Sequence, residues 1–147
     1  MLELGHIGLT VSNIENSVEF YKTFFGCEEG RKGEITSEII ERFPELYNLE
    51  KNNIGKTCIL RLPNNILLEL FEFSKSMTYP DSEWNKIGYH HIAFNVDNVE
   101  ELLIKARNCN AYIEGSFAVR PFDKGKRFFM KDMDDNLIEV MEEFTDC

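Results

Sequence analysis

The chain turns from alternating to helical twice, in the same way. Over residues 4–11, Ile7, Leu9 and Val11 fall on one side of an extended segment and His6, Gly8 and Thr10 on the other, the period-two pattern of a half-buried strand. Ser12 and Glu15 follow as an S-x-x-E signature, which predicts a helix start where each side chain satisfies the other's free backbone N–H. Ile14, Val18, Tyr21 and Phe25 recur at helical spacing and predict an apolar stripe packed on the strand. Gly26 suits the left-handed residue that ends such a helix. At residue 89 the pattern restarts: Ile92, Phe94 and Val96 take the helix-facing side, and His91, Ala93 and Asn95 the other. His90 shares the helix-facing side and reads as a packed or edge histidine. Asp97 and Glu100 mark the second helix start, Leu102, Leu103 and Ala106 its buried stripe, and residues 108–110 its stop.

The remaining segments complete each half. Residues 57–62 and 66–73 predict strands around a turn at 63–65, and residues 111–114 a short strand. Residues 120–126 read as a basic loop, and 127–130 and 136–142 as strands joined by a turn at 132–136. Each half thus runs strand–helix–strand–strand–strand, the second strand of the first half being the least defined. The fold class is α+β, with two βαβββ modules forming a curved mixed sheet around a metal site. The first module spans residues 1–74 with a helical insert at about 34–50, a linker with Pro80 covers 75–87, and the second module spans 88–147. Within the insert, Ile39, Ile40, Phe43, Leu46 and Tyr47 suit a short amphipathic helix interrupted near Pro44. It either covers a cavity as a lid or fills the core edge, and the second is favoured. Trp84 is expected to pack somewhere. Two modules side by side leave an open concave face, the natural place for a ligand.

Composition narrows the classes. The 147 residues, 43% hydrophobic with twelve Phe, suffice for a packed interior. The formal charge of −10 argues against nucleic acid or an anionic membrane as partner. Cys27, Cys58, Cys109 and Cys147 are scattered, as reduced thiols in a cytoplasm are, and no leader or membrane-spanning run is read. A soluble cytoplasmic protein is expected.

The chemistry lies in the repeat. HIGLTVSNIENSVEF from His6 and HIAFNVDNVEELLIK from His91 open the halves; LLELFEF with Glu69 and LIEVMEE with Glu139 close them. Any one of these four polar residues reads best as a solvent-facing strand residue. Four in register with a repeat point to a divalent-metal site of borderline hardness. Four protein ligands on an octahedral ion leave two adjacent positions for water or for a substrate with neighbouring oxygens. Arg120, Lys124, Lys126, Arg127 and Lys131 concentrate positive charge, read as a solvated loop in preference to a substrate anion site. Phe71, Phe73, Tyr89 and Phe129 either line the cavity or belong to the core.

HIGLTV, ILLELFEF, HHIAFNVDNVEEL and FFMKDMDDNLIEV together resemble the vicinal oxygen chelate superfamily, which includes glyoxalase I, methylmalonyl-CoA epimerase, extradiol dioxygenases, and fosfomycin and bleomycin resistance proteins. The resemblance places His6, Glu69, His91 and Glu139 on the family's metal-ligand positions, most like metal-dependent bacterial glyoxalase I. It implies a metal-dependent lyase or isomerase acting on a small carbonyl compound through a metal-bound enediolate or enolate. Glu69 or Glu139 would shuttle the proton, and the cofactor would be Ni, Co, Zn, Mn or Fe. Two alternatives are an extradiol-type dioxygenase, against which Glu69 counts, and a non-catalytic drug-binding protein. The partners implied are a small-molecule substrate and a second copy in a homodimer. The chain departs from bacterial glyoxalase I at Thr10 and Phe73, where that enzyme carries an Arg and an Asn that help hold glutathione, which counts against a glutathione hemithioacetal substrate; it also has Asp135 where the family usually has Gly, and TCILRLP lacks the epimerase's carboxylate.

Overall fold

A computed structural model of the chain describes residues 1–78, 84–120 and 125–143. Pro80, Lys124, Cys147 and the Arg120 side chain lie outside the described residues. The chain forms two compact units, Met1–Thr78 and Tyr79–Cys147. The first runs β1 (Ile7–Thr10), α1 (Ile14–Phe25), β2 (Glu28–Ile35), α2 (Ser37–Arg42), α3 (Pro44–Tyr47), β3 (Gly55–Arg61) and β4 (Leu67–Phe73). The second runs β5 (His91–Asn95), α4 (Val99–Asn108), β6 (Ala118–Arg120), β7 (Gly125–Lys131) and β8 (Leu137–Glu143). The sheets are separate and four-stranded, ordered β1-β4-β3-β2 and β5-β8-β7-β6. In each, the opening strand lies parallel to the closing strand and the other pairings are antiparallel. The α+β class and the βαβββ order stand, as two open sheets.

The helices sit where the apolar stripes require. Ile14, Val18, Tyr21 and Phe25 are buried with Leu60, Leu68 and Leu70, and Val99, Leu102, Leu103 and Ala106 with Phe128, Ile138 and Val140. Gly26 ends α1 at φ 62, its N–H on the Lys22 carbonyl, as the left-handed cap predicts.

The helix starts differ from the sequence expectation by one residue. The N-caps are Asn13 and Asn98, whose side chains accept from the N–H groups of Asn16 and Glu101 at 2.8 and 3.0 Å. Parallel pairing holds the chain extended past the strand ends, with Val11 N–H on Phe71 O and Val96 N–H on Met141 O, both at 2.8 Å. The second half of each cap comes from another strand. Glu72 accepts the Ile14 N–H at 2.8 Å and Glu142 the Val99 N–H at 2.9 Å, placing a carboxylate at each positive helix end. Glu100, read as the capping-box partner, pairs with Lys126 instead, which holds its carboxyl below the usual range.

The insert is helical and interrupted near Pro44, as expected: it forms two helices, divided at Phe43 with Pro44 opening the second; proline fits a first turn and breaks an interior one. Two other expectations are corrected. The short strand read at 111–114 makes only an isolated bridge, Tyr112 to Met130, and regular pairing with β7 begins at Ala118. Between them the Ser116 hydroxyl donates to Ile113 O at 2.6 Å and accepts the Phe129 N–H at 3.0 Å, replacing a ladder bond. Finally, Lys126, read as the end of a basic loop, belongs to strand β7 together with Arg127, which was expected there, and Lys131, so these three charges stand on a strand and not on a solvated loop. In the turn before β8, Asp135 stands at φ 62, the region Gly occupies without cost. The turn keeps its shape because Asp132 accepts from Asp134 N, Asn136 N and Asn136 Nδ2, each at 2.9 Å. No helix among the described residues is long and apolar enough to cross a membrane.

Two predictions follow from these packing arrangements. Glu72→Ala and Glu142→Ala should each lower the unfolding free energy by about 1 kcal/mol in urea titrations, while the exposed Glu45→Ala changes it by less than about 0.5 kcal/mol. Burial also pushes the Cys27 thiol up to about 11, so at pH 8 it remains protonated and unreactive. Peptide mapping after native iodoacetamide treatment should show Cys109, which is exposed, alkylated, with Cys27 and Cys58 spared.

Candidate metal-ligand pairs

Parallel pairing at the edge of each sheet builds the same constellation twice. In the first unit Gly8 stands opposite Glu69, and in the second Ala93 stands opposite Glu139. His6 and His91 each lie two residues earlier, so alternation turns the imidazole to the same face as the glutamate. His6 Nε2 is 3.3 Å from Glu69 Oε2, and His91 Nε2 is 3.3 Å from Glu139 Oε2. The small residues make room: a Cβ on Gly8 would meet the Phe71 ring at 3.3 Å.

The donors fit a divalent cation. Two cis ligands each about 2.1 Å from one ion stand roughly 3.0–3.4 Å apart for angles between octahedral and tetrahedral, and both pairs are set at that separation. Imidazole nitrogen with carboxylate oxygen is the mixed set that late first-row divalent metals take. Among the described residues the geometry gives two pairs, and no group of three or more His, Cys, Asp or Glu close enough to hold an ion.

The pairs differ in their surroundings. In the first, the His6 side chain is 56% exposed and Glu69 22%, and His6 is the sole ion-pair partner of Glu69 among the described residues. In the second, His91 is 26% exposed and Glu139 only 9%. Arg127 Nη1 donates to Glu139 Oε1 at 3.0 Å, so both carboxylate oxygens are engaged. Behind His91, its Nδ1 meets His90 Nδ1 at 3.0 Å, and one of the two nitrogens must carry the proton. If His91 Nε2 presents its lone pair to a metal, its Nδ1–H is the donor, an arrangement that fixes a ligating ring. His90 Nε2 is then the protonated nitrogen, and it is buried with no hydrogen-bond partner among the described residues. Trp84, for which a packing site was expected, lies over His90 at 4.0 Å between ring centroids, and the Phe129 edge approaches His91 at 5.8 Å.

Sequence reasoning read His90 only as a packed or edge histidine, not as a partner of His91, and passed over the Arg127 contact. The second was within reach, because the 132–136 turn sets the register Lys131 to Leu137 and therefore Phe129 to Glu139. Arg127 is two residues from Phe129 on the same face, diagonal to the glutamate. Its guanidinium is engaged with a neighbouring carboxylate and does not sit on a solvated loop. Of the aromatics read as cavity lining or core, Tyr89 is fully exposed, and Phe71 and Phe129 lie beside the Glu69 and Glu139 positions.

With this geometry stand the comparisons with known proteins. A sequence profile of the Glyoxalase/Bleomycin resistance protein/Dioxygenase superfamily matches residues 3–140. The chain belongs to that superfamily. Among solved structures, a glyoxalase family protein from Bacillus cereus is 17% identical, with 99% of this chain and 96% of that one covered at a TM-score of 0.79. The trypanothione-dependent glyoxalase I of Leishmania major is 21% identical over 97% of this chain and 88% of its own, with a TM-score of 0.68. A genomically encoded fosfomycin resistance protein from Listeria monocytogenes, complexed with Mn(II) and sulfate, is 18% identical over 98% and 94%, with a TM-score of 0.61. These likenesses show the fold. No curated protein matches the chain.

Removing one partner from a buried ion pair leaves the other uncompensated. Arg127→Met should therefore destabilise the chelator-treated protein by about 1–3 kcal/mol in urea unfolding. The double variant Arg127→Met/Glu139→Gln, which removes the stranded charge, should recover much of that loss. Equal stabilities for the single and double variants would show that Arg127 does not hold Glu139.

Proposed function

We propose that this superfamily member is a metal-dependent lyase or isomerase acting on a small carbonyl compound, with His6, Glu69, His91 and Glu139 holding one divalent ion. The supporting observation is the duplicated His–Glu pair, the same 3.3 Å in both units and on equivalent strands. Ni²⁺, Co²⁺, Zn²⁺, Mn²⁺ and Fe²⁺ all suit this donor set. A bound ion would supply Lewis acidity towards a substrate oxygen.

The two glutamates divide the remaining work. Glu139, with both oxygens engaged and little exposure, is the fixed ligand. Glu69, more exposed and contacted by His6 alone among its described ion-pair partners, has freedom to leave its position. It takes a proton from the substrate carbon beside the carbonyl and returns it to the neighbouring atom. His6 and His91 hold position and carry no proton in the step. A homodimer is part of the proposal, with the two pairs meeting within one chain or across two.

Metal analysis tests this directly. Chelator-stripped protein titrated with Ni²⁺, Co²⁺, Zn²⁺ or Mn²⁺ should take up one ion per four-ligand set at micromolar or tighter affinity. His91→Ala or Glu139→Ala should weaken uptake by at least tenfold. With metal present, Glu69→Gln should slow exchange of the substrate C–H for solvent deuterium, measured on 2-hydroxy and 2-oxo aldehydes with and without thiol, by about 10²–10⁴. Small-molecule binding indifferent to chelator, with no metal uptake, would favour the sequestering role; oxygen uptake with catechols would favour the dioxygenase.

A further inference from the structure

The Glu69-bearing face of the first unit carries a groove walled by the insert. The groove, about 370 Å³, is lined by residues 31–35 of β2, Lys32 and Glu34 included, by Ile39 of α2, Tyr47 of α3, Thr57 of β3, and Glu69 and Phe71 of β4. Among the described residues the second unit has no helix between α4 and β7, so this wall belongs to one module only.

A bulge in β2 decides what the groove presents. The pairing of β2 with β3 shifts between Glu29, opposite Leu60, and Lys32, opposite Cys58, leaving Gly30 and Arg31 together against Ile59. Leu60 and Cys58 are buried on the α1 side, so an unbulged strand would turn Arg31 towards α1. The extra residue carries it to the other face, the re-aiming that bulges produce. Gly30 permits the buckle, because a Cβ there would stand 3.1 Å from the Ile59 carbonyl oxygen. Ile59 is in turn opposite Glu69. Arg31, Ile59 and Glu69 therefore form a row across three strands, with about 10 Å between the outer backbones at the usual strand spacing.

Lys32 pairs with Glu29, whereas Arg31 has no ion-pair partner among the described residues. A guanidinium at one end of a trough of mixed polarity, with a candidate metal ligand at the other, recognises an anion by charge-assisted hydrogen bonds. Ile39, Phe71 and Tyr47 supply the apolar part of the lining, where the body of such an anion would rest.

We infer that the substrate is a small organic acid with a branched or aromatic body, its carboxylate held by Arg31 and its body lying between Phe71 and the insert residues Ile39 and Tyr47. This rests on the metal-dependent reading for its placement beside Glu69, but the groove can be tested without metal. The probes are 3-phenylpropionate, its neutral amide 3-phenylpropanamide, and acetate. Binding is followed by amide chemical shifts of the chelator-treated full chain, then of the Mn²⁺-free, Zn²⁺-loaded protein. The expected result is saturable binding of 3-phenylpropionate with shifts at residues 31, 35, 39 and 47. The amide and acetate should each bind at least tenfold more weakly. Arg31→Gln should remove the preference for the acid over the amide, and Tyr47→Ala should weaken both. Both positions are away from the strand cores, and an unchanged melting temperature confirms folding. Equal affinity of wild type and Arg31→Gln for 3-phenylpropionate, shifts confined to other surfaces, or no saturable binding would each overturn the assignment. Arg31-dependent binding in a protein that takes up no metal would sustain the groove while the metal-dependent function fell; metal uptake without Arg31-dependent binding would do the reverse.

Discussion

The pairing on which everything else depends is the parallel contact between the opening and closing strand of each unit, β1 with β4 and β5 with β8. Strands far apart in sequence pair in parallel only when a long crossover separates them, and here the helix and the intervening hairpin provide it. That contact does three things at once. It sets the histidine beside the glutamate, it extends the chain beyond the strand end so that the helix begins at Asn13 or Asn98, and it brings Glu72 or Glu142 to the helix N-terminus. A one-residue slip would turn each glutamate of the site to the helix side and each cap to the open side. Site and fold are therefore specified by one register.

The same contact explains what could be read from residues alone. Alternation in HIGLTV and HIAFNV gave the strand faces, and the echo of LLELFEF in LIEVMEE gave the pairing of ends, so the fold class and the four candidate ligands were legible. The helix start was misplaced because S-x-x-E is a local signature, while the cap is completed by a carboxylate about sixty or forty residues away. Strand β2 was faint for a different reason. EEGRKGEI is polar on both faces, and all but its last residue is exposed, so it lacks the hydrophobic alternation that marks a strand. Its existence depends on the ladder with β3, and its bulge on Gly30 fitting against a carbonyl. Arg31 was therefore invisible as a site residue until the register was known.

The basic segment shows the converse. Lys126, Arg127 and Lys131 stood out as a charge cluster and read as a loop, since runs of charge usually are solvated. In the fold they alternate along β7. Lys126 turns towards Glu100 on the helix side, and Arg127 turns to Glu139 on the site side. Charge in a strand obeys the same period of two as hydrophobicity, and the partners sort by face.

Duplication supplied two equal pairs, and the chain has made them unequal. The second is half enclosed by Trp84, Phe129 and His90 and tied by Arg127, which suits a ligand pair that must stay in place. The first is exposed and bordered by the insert, which suits a pair that must admit and release something. On the metal-dependent reading proposed above, a rigid half and an accessible half would meet opposing needs, since a site tight enough to hold its ion everywhere has no member free to move a proton. On that reading the difference in burial between Glu69 and Glu139 would be the functional content of the divergence. It was written not in the ligands, which are the same in both halves, but in Arg127, His90 and the insert, the residues for which the repeat has no counterpart.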